Sequence, residues 1–107
     1  MKYILVETCS GDCPRDCGAY IHGSYYSKLE AQSVLKSECE RWLEDGLILC
    51  DKDKWKPGYH SGESVKWSDL FWSENNTTAW RNMDDPEQWI KLEVFKINDY
   101  GGWERVY

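Results

Sequence analysis

Ser27-Lys28-Leu29-Glu30 is the stretch that most constrains what this chain can fold into. A serine hydroxyl at a helix start accepts the N–H of the third helical residue, and a glutamate there reaches back to the cap's own N–H. Two donors that a helix start otherwise leaves orphaned are then satisfied. Behind this capping box Ala31, Leu35, Cys39 and Trp42 recur at helical spacing, with Val34 and Leu43 widening the apolar stripe. Gly46 supplies the stop, because it takes the left-handed conformation beyond a helix end without steric cost. The spacing predicts one amphipathic helix over residues 28–45. Its stripe needs a partner surface, and most of the other patterned segments read as strands.

Lys2 to Thr8 (KYILVET) is β-branched and aromatic with no breaker, and AYIHGSYY after it reads as a second, antiparallel strand. Leu47 to Cys50 suits a short third strand. Residues 65–72 (VKWSDLFW) fit either a strand or a helical turn. ENNTT reads as a polar turn, its glycosylation sequons notwithstanding, AWRNM as a brief pairing segment and DDPEQ as a turn. In WIKLEVFKI, Ile90, Leu92 and Val94 alternate with Trp89, Lys91, Glu93 and Phe95, the signature of a strand with one buried face. NDYGG turns, and WERVY ends the chain as a short strand or tail. The expected fold class is α+β: one domain over residues 1–107, with an antiparallel sheet of about four to five strands and the helix packed on it. At 107 residues one modest core is all that such a chain buries.

CSGDCPRDCG, residues 9 to 18, is the most distinctive chemical stretch. Structural zinc takes four ligands, commonly as two C-x(2–4)-C pairs. Cys9, Cys13 and Cys17 offer three thiols, with His22 as the fourth ligand of choice and His60 or Cys50 as substitutes. The two-residue knuckle is missing and no second pair exists, so free thiols and a Cys9–Cys17 disulfide stand beside zinc as readings. Cys39, on the helix stripe, reads as a small hydrophobe. No nucleophile elbow, phosphate-binding glycine loop or paired-carboxylate motif appears, and a Cys–His pair is unmarked. The expectation is a chain without catalysis.

The net charge of −6 argues against direct nucleic-acid binding, which draws its affinity from neutralising phosphates. It suits a protein partner with a basic surface. Seven Trp and seven Tyr exceed what one small core needs. Trp55, Tyr59, Trp67, Trp72 and Trp80, interleaved with acidic residues such as Asp69 and Glu74, are therefore expected as exposed partner-binding anchors. On that reading Trp67 and Trp72 are removable without harm to the fold. MKYILVE is too short an apolar run for a signal segment or a membrane span, which places the chain in a reducing cytoplasm, without a membrane partner. The oligomeric state is left open.

The stretch HGSYYSKLEAQSVLKSECERWLEDG, preceded by MKYILVET and followed later by WIKLEVFKI, resembles short accessory proteins of phages and gut bacteria. The likeness covers about the first half and the last long strand, leaves out the three-cysteine loop, and transfers no residue roles. It implies a setting: a small inhibitor in the host cytoplasm that binds a nucleic-acid-handling machine, as anti-CRISPR and other anti-defence proteins do.

Overall fold

The computed structural model describes residues 2–9, 19–51, 69–82 and 89–106. In chain order the elements are β1 (Lys2–Cys9), β2 (Ala19–Tyr25), α1 (Lys28–Glu44), β3 (Ile48–Leu49), β4 (Leu70–Glu74), β5 (Thr78–Asn82), β6 (Trp89–Ile97) and β7 (Trp103–Arg105). The strands form one sheet in the order β2-β1-β6-β5-β4-β3, and β7 pairs with β6. The α+β class and, among the described residues, the single helix are as expected. The strand number is not: the described residues form seven strands where four to five were expected, and β3 runs parallel to β4 in an otherwise antiparallel sheet. β3 and β7, at two and three residues, fall within the short segments 47–50 and WERVY that the sequence offers as strands, and the count rises because each of these brief segments does pair.

β6 organises the sheet. β1 pairs along its whole length, from Lys2↔Ile97 to Cys9↔Ile90. Its other edge is shared end to end, with β5 opposite Trp89 to Glu93 and β7 opposite Phe95 to Ile97. Val94 bridges the join: its N–H donates to the Thr77 carbonyl at 2.9 Å, and its carbonyl accepts the Val106 N–H at 3.1 Å.

Strand alternation sorts the side chains onto two faces. Leu5 lies opposite Val94 and Ala79 opposite Leu92. Together with Phe71 they form the face that α1 covers, all of them buried in one cluster with Ala31, Leu35, Cys39, Trp42 and Leu47. The four stripe residues of the helix are thus buried and Val34 packs against them as expected, while Leu43 remains 49 % exposed, so the stripe widens on one side only. Trp42 meets Phe71 edge-on, with centroids 5.4 Å apart and planes at 78°. Each fully buried Leu or Phe here contributes roughly 1.5–3 kcal/mol.

The helix ends follow from its sequence. Ser27 Oγ accepts the Glu30 N–H at 3.2 Å, and Glu30 Oε2 accepts the N–H of Tyr26, one residue before the cap, also at 3.2 Å. At the other end Gly46 has φ +98. Its N–H donates to the Leu43 carbonyl at 3.1 Å, and the Leu47 N–H donates to Trp42 at 2.9 Å, the paired bonds of a Schellman stop. Cys39 is 8 % exposed. Burial pushes its thiol from the usual 9.0 up to about 11, against a weaker opposing hydrogen bond with Ser73. It is a packing residue, not a reactive one.

Candidate functional site

The face of the sheet turned away from α1 carries different chemistry. Register aligns Trp72 on β4, Trp80 on β5 and Lys91 on β6 in one cross-strand row, and Glu74, Thr78 and Glu93 in the next. Trp80 stacks on Trp72 with centroids 5.9 Å apart and planes at 23°. It also tilts against Trp89 at 4.6 Å and 57°. The Lys91 ammonium sits 4.7 Å from the centre of the Trp80 ring and 5.8 Å from that of Trp89, within cation–π range of both.

That ammonium is also 2.9 Å from Glu93 Oε1, and the Arg105 Nε lies 3.1 Å from Glu93 Oε2. Glu93 is only 5 % exposed. A buried carboxylate needs compensation of this kind, since an unpaired one would lose its solvation without return. Each oxygen therefore has its own cation. Beside this cluster runs an open groove of about 290 Å³, lined by Trp72, Trp80, Glu74, Thr78, Glu93 and Arg105 among others.

The rim of the groove is a tight turn. Asn75 and Asn76 have φ of 52 and 54, a left-handed pair that Asn tolerates better than other non-glycine residues. The Thr77 N–H closes the turn on the Glu74 carbonyl at 3.0 Å. The Gln32 side-chain amide donates to the Asn75 carbonyl at 2.8 Å, tying the turn to the helix layer. The ENNTT segment is thus the polar turn its composition indicates.

Of the expected anchors, the structure brings Trp72, Trp80 and Glu74 together at this groove. Asp69, half-buried just before β4, does not line it. Trp55, Tyr59 and Trp67 lie outside the described residues. Trp72 needs correction as an exposed anchor. It is 7 % exposed and stacked, so its removal opens a void instead of leaving the fold intact. The described aromatic residues that do stand in water are Tyr26, Tyr100 and Trp103, at 83 %, 97 % and 51 % exposure.

The candidate metal ligands are only partly placed. Cys9 ends β1 opposite Ile90, and His22 on β2 has its Nε2 3.1 Å from Glu7 Oε1. Cys13, Cys17 and His60 lie outside the described residues. Among the described residues no group of three or more His, Cys, Asp or Glu comes together as a metal site.

Trp89, Lys91, Glu93 and Arg105 are the site residues that sequence reasoning missed. The period-two alternation of WIKLEVFKI already put Trp89, Lys91 and Glu93 on one face. Arg105 left no signal, because only the β7 pairing Phe95↔Arg105 carries it there. The chain matches no known family model, no curated protein and no solved structure. Among the described residues no helix is long and apolar enough to cross a membrane.

Proposed function

We propose that this chain is a small binding protein that works without catalysis, by contact with a protein partner whose surface is basic. The contact surface is the groove face of the sheet. One observation carries this reading: Trp72, Trp80 and Trp89 are held in a fixed array beside an ion cluster in which a buried Glu93 pairs with Lys91 and the half-exposed Arg105, next to an open groove. Rigid aromatic side chains next to a groove supply contact area at low entropic cost, as binding hot spots do. The cluster's charges are fixed on one another, which suits recognition more than proton transfer. The net charge of −6 steers a basic partner in and keeps nucleic acid itself away. In the setting implied by the resemblance to phage accessory proteins, the partner is a nucleic-acid-handling machine of the host and the contact inhibits it.

An arginine-rich peptide serves as the probe for a basic protein surface. Titrated into the ¹⁵N-labelled protein, it is expected to shift the indole N–H signals of Trp72 and Trp80 saturably. Trp80→Ala is expected to weaken binding about tenfold, the size of a single hot-spot loss. An equal affinity for the variant and the native chain would reduce the effect to bulk charge attraction and remove the groove from the proposal.

A further inference from the structure

β6 and β7 carry the groove face beyond the groove itself. Arg105 lies opposite Phe95 and Trp103 opposite Ile97, so Trp103 stands on the same face as Arg105, its ring 6.0 Å from that of Phe95. The turn between the two strands is fixed from within. Asn98 Oδ1 accepts the N–H groups of Tyr100 at 3.0 Å and of Gly102 at 2.8 Å. The Asn98 N–H donates to the Gly102 carbonyl at 2.9 Å, and the Gly101 N–H donates to the Asn98 carbonyl at 3.0 Å. Gly101, at φ +79, takes the left-handed step that this turn requires. A side chain on such a turn is presented with its backbone already ordered, which lowers the cost of binding. That side chain is Tyr100, 97 % exposed, with the exposed Asp99 before it and the half-exposed Trp103 after the turn.

We propose that this hairpin tip receives an arginine side chain of the basic protein partner, the guanidinium lying on the Tyr100 ring beside the Asp99 carboxylate. The inference rests on the basic-partner reading above and says where one of that partner's cations goes. In the groove the places for a cation are filled by the chain itself. Lys91 is in cation–π range of Trp80 and Trp89, and both Glu93 oxygens have their own cation. The tip brings the same two elements together, a ring and a carboxylate. There, among the described residues, no Lys or Arg lies over the Tyr100 or Trp103 ring or pairs with Asp99. Chemistry selects the occupant. The face of an aromatic ring is electronegative, so ring and carboxylate both attract a cation and neither attracts an anion. Arginine is preferred to lysine because its planar, weakly hydrated guanidinium stacks on a ring face. Of the chain's own cations nearby, Arg105 is held by Glu93, and Lys96 lies opposite Glu104 on the other face. Lys2 is separated from β7 by the width of β6.

The test titrates the arginine-rich peptide, and separately its lysine-rich counterpart, into the ¹⁵N-labelled native chain. The arginine peptide is expected to shift the Tyr100 amide and the Trp103 indole N–H saturably. The lysine peptide is expected to bind more weakly and to shift both less. Tyr100→Ala should weaken arginine-peptide binding about two- to fivefold, the size of an exposed cation–π contact, whereas Tyr100→Phe keeps the native affinity because the ring remains. Tyr100 stands almost wholly in water, so neither variant puts the fold at risk. An unchanged affinity in Tyr100→Ala overturns the proposal, and so does equal binding of the two peptides. If Trp80→Ala still weakens binding in that case, the basic-partner reading stands and only the arginine site at the tip is lost. An arginine peptide that does not bind the native chain removes both.

Discussion

The two faces of this sheet are built from the same strands, yet they bury different chemistry: the face away from the helix buries Ile4, Val6 and Trp72 together with a paired carboxylate. On the helix-covered face Leu5, Leu92, Val94, Ala79 and Phe71 meet Ala31, Leu35, Cys39 and Trp42, and the contact is apolar apart from the Arg81 guanidinium, 5.8 Å from the centre of the Trp42 ring. On the other face β6 turns Trp89, Lys91 and Glu93 outward, and there a carboxylate is buried at 5 % exposure between two cations. Apolar packing tolerates rearrangement, since hydrophobic contact has no direction. A buried ion cluster does not, because each partner is needed to offset the desolvation of the others. The first face therefore serves stability, whereas the second fixes the positions of particular groups, which is what a recognition surface requires.

That contrast can be broken by experiment. The largest loss is expected on the covered face. Leu35→Ala removes a fully buried side chain and should lower unfolding free energy by about 2–5 kcal/mol, read from urea denaturation. A loss under about 1 kcal/mol would mean that the helix layer is not the main core. Glu93→Ala on the other face comes next, at about 3 kcal/mol, because it strands Lys91, itself largely buried. Adding Lys91→Met should return much of that loss, since the one cation then left without its carboxylate is Arg105, which is half-exposed to water. If the double variant is no more stable than Glu93→Ala, the penalty is one of packing and the two faces are alike.

The smallest effect concerns the alkaline limit of the covered face. The folded Cys39 thiol holds its proton up to about 11, whereas the unfolded chain releases it near 9.0. The folded state therefore binds the proton more tightly. The resulting stability is present in full below pH 9.0 and is lost as pH rises towards about 11. The total is on the order of 2 kcal/mol. Stability curves of the native chain and Cys39→Ala, measured across that window, should converge as pH increases. Parallel curves would show that the thiol is as well solvated folded as unfolded.

Much of the covered face is legible in the sequence. The capping box, the Ala31-Leu35-Cys39-Trp42 stripe, the Gly46 stop and the alternation of Ile90, Leu92 and Val94 are local patterns, and local geometry alone gives them their meaning. Trp72 shows where such reading fails. Its residue type and acidic neighbours suit an exposed anchor, but its burial depends on Trp80 arriving from the next strand. The groove was legible only in fragments for the same reason. Trp72, Trp80 and Glu74 were found by residue type, but the Lys91–Glu93–Arg105 cluster needs the register of β6 with β7.

What the sequence determined by itself is therefore what short-range physics determines. It specified one capped amphipathic helix, the strands long enough to show a period of two, the α+β class and an acidic surface. The tertiary structure alone decided the strand order, the parallel β3–β4 pair and the burial of Trp72 and Glu93. Those outcomes depend on pairings between residues far apart in the chain. Their side-chain patterns are compatible with many registers, and only the fit of the whole sheet against one helix selects among them.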